Sequence, residues 1–415
     1  MPKAFSPKTA GAGAKSLGRT LARAVAKTVD GAFASTALNP PRIMRRRSPT
    51  EALGHDQRMR GLAAMAGFYG CDGLIEDPDT FFGTAAPIQP RVERVRGFGR
   101  DGEVVDLSWP SEFEPLWSSE ALSERFAQLS TAKRAQLGLH DPQALTEAVR
   151  QIGLDKSGEL RDKYFRARAN RTARARWFRH HAGPRPCAVL MHGYMGGDYL
   201  LEERMWPVKQ LFERGMDVVL TVQPFHGLRR SEARRLLPPA FPSNDPRFTI
   251  EAFRQVVFDH RALFDYLLAG PVSELGVMGQ SLGGYGAALL ATLDARVRFA
   301  VFFVPLAAID VFAFVHGRLV GQAHEQIAQR ERMRAAHWAV SPLARPALVP
   351  ADKVIIIAGE ADVVTGLQHA QPLATHCNAA LTTFQGGHLL HFGRIQAFKP
   401  VWNMLGRAGL IDSGP

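Results

Sequence analysis

The segment GVMGQSLGGYGA places Gly279-x-Ser281-x-Gly283 directly between an apolar run and a helical pattern. A strand that turns sharply into a helix strains the residue in the turn and leaves no room for side chains two positions either side. Gly279 and Gly283 meet that demand. Such a turn projects the Ser281 hydroxyl at a helix N-terminus, whose dipole favours developing negative charge. A serine hydroxyl attacks a carbonyl poorly until a base removes its proton. The order serine, acid, histidine that accompanies this turn directs the search downstream. His388, in FQGGHLLH, follows the last apolar run; His391 is a local competitor, but its place in an expected helix suits packing. A buried carboxylate must hold the imidazole in one tautomer. Asp362, after VIIIAGEA, is the leading candidate, with Glu360 and Asp310 as alternatives. The chemistry these residues could perform is acyl transfer.

A second loop, MHGYMGGD (191–198), supplies what the serine lacks. Its glycines, Gly193 and Gly196, permit backbone N–H groups to point at a carbonyl oxygen as it becomes an oxyanion. Tyr194 would give one donor and Leu282, after the serine, the other. A phosphate-binding reading of the loop is weaker, since no Lys-Ser/Thr follows the glycines. In QPFHGLRR (223–230), His226 and Arg229 could contact substrate, with Arg229 and Arg230 holding an acidic group; a solvated loop is the competing reading.

These residues need elements to hold them. From residue 186, short apolar runs alternate with longer helical patterns: 187–193, 217–227, 274–280, 298–308, 353–362 and 381–387 as strands, with helices at 199–214, 249–269, 282–294, 365–376 and 391–406. Strands that are apolar throughout, alternating with amphipathic helices, predict an α/β fold with a mostly parallel sheet covered on both faces. Sites in such sheets lie at the carboxyl ends of strands, where every motif above falls. Two excursions, 228–247 and 311–345, follow strands and are expected to cap the site. The second opens with VFAFVHGRLV, which suits either an apolar acyl pocket or ordinary core. Upstream, 91–110 alternates around Asp101-Gly102 and predicts a hairpin, 118–151 a polar helical stretch, and 164–181 a second, Arg-rich edge hairpin around Asn170.

Ser281 in its elbow, Asp362, His388 and the HGxxG-like loop at 192–196 together resemble the α/β-hydrolase superfamily, over residues 160–410, or from 90 at the widest. QPFHGLRR is similar to a serine esterase, dienelactone-hydrolase-like branch and distantly to the abhydrolase-18-like group. The resemblance implies an eight-stranded, mostly parallel sheet with helical cap insertions, and carboxylic ester hydrolysis through an acyl-enzyme with no cofactor and no metal. Thioester cleavage, peptide cleavage or acyl transfer to another acceptor would use the same residues. A non-catalytic, surface-associated scaffold is the reading from a different class.

Composition bounds the rest. The net charge of +12 over 415 residues invites a nucleic-acid reading. Its distribution argues against one: residues 1–50 hold ten basic side chains and one acid, Asp30, which leaves only +3 for residues 51–415. The arginines of 164–181 lack the interleaved aromatics of a base-stacking surface. The division expected is a basic, flexible tail (1–50), a mixed α/β extension (51–160) and the catalytic domain (161–415). Residues 1–15 read as disordered and 39–50 as a linker. Leu17, Leu21, Val25 and Val29 recur every four residues, with Arg19, Arg23 and Lys27 on another face. That is an amphipathic helix, expected to pack on the body or to bring 16–47 against an anionic membrane or surface. The tail contributes none of the catalytic motifs, so activity is expected to survive its removal. Three dispersed cysteines exclude a disulfide framework and fit a reducing, cytoplasmic setting, peripheral to a membrane at most. No run is long enough to span a bilayer. The partner expected is a small-molecule ester, not nucleic acid.

Overall fold

Residues 8–36, 53–70, 75–137, 149–150, 157–231 and 237–412 are described by a computed structural model of the chain. Its apolar runs pair into one sheet. In chain order the strands are β1 (Arg91–Phe98), β2 (Gly102–Pro110), β3 (Thr172–His180), β4 (Arg185–Met191), β5 (Asp217–Thr221), β6 (Val272–Gln280), β7 (Val297–Phe303), β8 (Val354–Gly359) and β9 (Ala380–Phe384). Across the sheet they run β1-β2-β3-β5-β4-β6-β7-β8-β9. Pairing is parallel from β5 onward and antiparallel through β1, β2, β3 and β5. The described residues thus form nine strands where the resemblance implied eight. The hairpin read at 91–110 is β1–β2, and it continues the same sheet as the strands after residue 161.

Both faces of the sheet are covered. Val189 and Met191 of β4 join one apolar core, while Ala188 and Leu190 join the other. Alternate residues of a strand point to opposite faces, so an apolar run without polar interruption is what two-sided burial requires. Met191 stands opposite Gly279 of β6 and Thr221 of β5. This register brings the loops after β4 and β6 together at one end of the sheet.

Three local expectations are corrected. Residues 164–181 are not a hairpin: a helix (Ser157–Arg166) and a 3-10 turn (Arg168–Arg171) lead into β3. Asn170 is buried there because its side chain donates to Gln255 Oε1 and accepts from the Phe225 N–H, so it anchors a junction instead of turning a hairpin. Nor is β3 at an edge. It lies between β2 and β5, and Arg176 and Arg179 pair with Asp106 and Glu103 of β2. The helix expected over 199–214 is two, Tyr199–Met205 and Val208–Glu213, with Pro207 as the cap of the second. Finally, the N-terminal segment is helical from Lys8 to Thr36, including residues read as disordered. Its Ala26 and Asp30 are buried, whereas Leu21 and Val25 of the expected apolar face remain exposed. The expected linker at 39–50 lies outside the described residues, as do 138–148 of the polar helical stretch and 232–236 of the first excursion.

The residues before the first parallel strand are tied to the body by a buried carboxylate. Glu251, in the helix Pro246–Ala269, accepts from the Tyr69 hydroxyl at 2.8 Å and from the Leu116 and Trp117 N–H groups at 3.1 Å, and it pairs with Arg254. Removing one partner of such a network leaves the others buried and unmatched. Glu251→Ala is therefore expected to cost about 3–5 kcal/mol in urea unfolding of the full chain. A loss too small to separate from wild type would contradict this role.

Candidate active site

Ser281 follows β6 and is the N-cap of the helix Leu282–Leu293, with φ 54° and ψ −115°. An L-residue holds that conformation only when its surroundings impose it. They do so here by close approach. A Cβ on Gly279 would collide with the backbone of Gly283, and a Cβ on Gly283 with the carbonyls of Met191 and His192. The Ser281 N–H donates to the Phe303 carbonyl at 3.0 Å, and its own carbonyl accepts from Leu306. Neighbouring strand ends thereby clamp the turn.

His388 lies in the loop after β9, with Nε2 2.8 Å from Ser281 Oγ and Nδ1 2.9 Å from Asp362 Oδ2. All three residues are buried. Asp362 is held in turn: its Oδ1 accepts from the Val364 and Thr365 N–H groups at 2.8 and 2.9 Å. Thr365 Oγ1 stands 2.9 Å from Oδ2, 3.2 Å from His388 Nδ1 and 3.0 Å from the Val304 carbonyl. Burial alone would raise the Asp362 pKa, but the His388 charge and hydrogen bond, with the two amides, carry it far below the usual carboxylate range. Burial likewise acts to lower the pKa of His388. The Asp362 charge and hydrogen bond, with the charge of Asp30, outweigh it and leave the pKa raised.

The alternatives weighed for these roles point elsewhere. Glu360 is partly exposed, accepts from Thr383 and pairs with Arg23. Asp310 pairs with Arg330 at 3.1 Å. His391 precedes the helix Arg394–Ala397, donates to the His388 carbonyl and packs its ring edge-on against Phe303.

The glycine loop after β4 reaches the elbow. A Cβ on Gly193 would sit 3.4 Å from Ser281 Cβ, so the adjacent Tyr194 lies beside the serine. Leu282 is the first residue of its helix, and its N–H has no carbonyl one turn back to bond. The loop is fixed by His192, buried with its pKa lowered by burial to about 4. The neutral ring donates from Nδ1 to the Gly193 carbonyl at 2.7 Å and accepts at Nε2 from the Gln223 N–H at 3.0 Å. Gly196 packs against the same ring and against Glu202, which leaves no space for a larger residue.

Two expected substrate contacts are overturned. His226 is fully buried, with Nδ1 2.8 Å from the Pro224 carbonyl, and its ring packs among His192, Tyr194 and Phe241. Arg229 is neither in the site nor in a solvated loop. It is buried, pairs with Asp259 at 2.7 Å and donates to the Asn170 carbonyl. A buried guanidinium needs such partners, and these occupy it. Neither residue lines the cavity at Ser281.

That cavity has a volume of about 700 Å³. Ser281, Leu282, Tyr194 and His388 line it at the sheet. Its apolar wall comes from Leu62 and Met65 of the helix His55–Tyr69, from Ile309, Phe312 and Ala313 after β7, and from Leu319, Val320 and Met333. Residues of the excursion at 311–345 line this cavity, as do Pro242 and Ser243 of the one at 228–247. Phe33 of the N-terminal helix adds to the wall. Local reading missed this contribution, as it missed Thr365 and Asp30, because nothing near Phe33 or Asp30 in sequence indicates the loops they meet. Asp30 accepts from the His388 and Leu389 N–H groups, the latter at 3.0 Å.

The geometry sets two expectations. Asp362→Asn should lower the reactivity of Ser281 toward a fluorophosphonate by roughly 10³–10⁴, while Glu360→Gln leaves it unchanged; equal losses would place the orienting acid elsewhere. His388 must be neutral to accept a proton, and its pKa is held above the ordinary 6.5. Reactivity should therefore rise with pH through a midpoint above 6.5. A midpoint below that value, read from labelling rates across pH, would contradict the assignment.

No protein-family model matches the chain. Two uncharacterized proteins of Mycobacterium tuberculosis, one from each of two strains, are 30% identical to it over 240 residues, which is 56% of this chain. The match spans 57% of each relative, so the chain covers little more than half their length. Among solved structures, acetyl xylan esterase 1 from Thermoanaerobacterium sp. superposes with a TM-score of 0.50 at 14% identity, covering 81% of this chain and 94% of that one. An acetyl xylan esterase from Paenibacillus sp. gives 0.49 at 14% identity, over 80% and 93%. With this strand order, the strained strand-to-helix turn at Ser281 and that superposition, the chain has the α/β-hydrolase fold.

Proposed function

We propose that the protein is a serine hydrolase that cleaves carboxylic esters through an acyl-enzyme. The observation that carries this reading is the unbroken series Ser281 Oγ, His388 Nε2 and Nδ1, Asp362 Oδ2, at 2.8 and 2.9 Å, with Ser281 and His388 lining a largely apolar cavity. Ser281 Oγ attacks the carbonyl carbon as its proton passes to His388 Nε2. The oxyanion is received by the N–H groups of Tyr194 and Leu282. His388 then returns the proton to the departing alkoxide as the ester C–O bond breaks, leaving an acyl-serine. Water, deprotonated by the same nitrogen, releases the acid. Asp362 stays ionised and favours the imidazolium formed in each half-reaction.

The cavity supports an apolar acyl group larger than acetyl. A volume of about 700 Å³ is ample for a small-molecule substrate, and its described walls are mostly apolar, with Arg58 and Arg318 also among the lining. Thioesters and amides present the same carbonyl, so they belong in the same substrate panel.

A fluorophosphonate probe is expected to label the wild type and not Ser281→Ala; labelling of both alike would refute the nucleophile. Across p-nitrophenyl esters of increasing acyl length, kcat/KM should rise beyond acetyl. Ala313→Trp, which fills part of the cavity, should move the optimum toward shorter chains. An optimum at acetyl in the wild type, or one unmoved by the substitution, would reject the acyl pocket.

A further inference from the structure

We infer that Asp30 is a positioning residue for His388, so that the helix Lys8–Thr36 is a working part of the site and not a tail attached to it. The inference rests on the hydrolase reading above and extends it. Asp30 is fully buried, and among the described side chains of its helix Ala26 and Asp30 are the buried ones. Its two carboxylate oxygens divide their work: Oδ2 accepts from the N–H of His388 and Oδ1 from the N–H of Leu389. Gly387 makes this possible, because a Cβ there would collide with the carboxylate. Asp30 thereby holds the backbone that carries the imidazole, while Asp362 holds the ring itself.

Burying a carboxylate is costly, and burial does raise the pKa of Asp30. A helix that needed only to dock could use another alanine, as it does at Ala26. What the carboxylate adds is two charge-assisted hydrogen bonds and a second negative charge near an imidazole that becomes cationic during the reaction. The ionisable groups facing His388 are Asp362 after β8, Asp30 on the N-terminal helix, His391 on its own loop, His316 after the helix Ile309–Val315, and His369 in the helix Leu367–Cys377. Arg318 lines the same cavity. Burial keeps His316, His369 and His391 below the ordinary imidazole pKa, so they are neutral where His388 titrates. Asp362 and Asp30 are the two that act on it as anions.

The rest of the helix contact is of another kind. Arg23 pairs with Glu360 at the surface, and Phe33 reaches the cavity wall. The Arg23 pair lies on Glu360 and not on the histidine loop, which separates docking from positioning in an experiment.

Full-length wild type, Asp30→Asn and Arg23→Gln are labelled with a fluorophosphonate across pH, and folding is checked by circular dichroism and thermal melting. Asp30→Asn keeps the size and removes the charge. It is expected to slow labelling roughly 10–100-fold, and to move the acidic limb of the pH profile to lower pH, since His388 loses an anion that raises its pKa. Arg23→Gln should leave both the rate and the limb in place. Gly387→Ala, which crowds the same carboxylate from the loop side, provides a second variant if Asp30→Asn does not fold; it should shift the limb in the same direction. A folded Asp30→Asn with wild-type rate and limb would overturn the inference while leaving the hydrolase reading intact. Equal losses in Asp30→Asn and Arg23→Gln with unmoved limbs would also overturn it, reducing Asp30 to a docking contact. A wild type that never labels would overturn both.

Discussion

At φ 54° and ψ −115°, Ser281 occupies a conformation that its own preferences oppose. The strain is sustained by contacts too close for side chains, where the helix start passes the end of β4 at Gly283 and doubles back on Gly279. Much follows from that crossing. It aims the hydroxyl outward, brings the β4 glycine loop beside it, and leaves the Leu282 N–H without a partner. The parallel register that aligns Met191 with Gly279 is what lets the two loops meet. A sheet slipped by one residue would separate them and reverse which side chains face each core.

Against this fixed serine the histidine must be brought from a loop, a less rigid support. The chain answers with redundancy. Thr365 and two amides fix Asp362, Asp362 fixes the ring, and a carboxylate on another element fixes the backbone beneath it. His192 does the same for the glycine loop by bridging Gly193 and Gln223 in one tautomer. Precision at the reacting atoms thus comes from buried polar groups that are each committed to named partners, which is where positioning is worth most.

How much of this could be read from the sequence follows the range of the interactions. The parallel strands and the elbow are written in consecutive residues: an apolar run, two glycines around a serine, a helical repeat. Asp362 and His388 could be found because each directly follows such a run. The same reasoning failed at 164–181, where alternation around Asn170 resembled a turn but the asparagine is spent on Gln255 and Phe225 far away in sequence. It failed for Arg229, since basic side chains in a loop usually face water and nothing local shows Asp259 waiting. At the N-terminal helix, hydrophobic periodicity chose the Leu21 and Val25 face. The folded chain instead turns Ala26 and Asp30 inward, the latter onto the His388 and Leu389 N–H groups. Asp30, counted at first only as the single acid in a basic segment, is buried against His388.

The Asp30 contact also orders events in time. Its two partners are 358 residues apart, so at a synthesis rate of roughly 5–20 residues per second the helix exists for about 20–70 s before the loop it will meet. Throughout that interval the Asp30 carboxylate has neither the His388 and Leu389 amides that receive it in the folded chain nor the glycine at 387 that admits it. The sheet can assemble strand by strand as the chain emerges. The Asp30 contact with the His388 and Leu389 N–H groups forms only when the two distant ends of this stretch find each other.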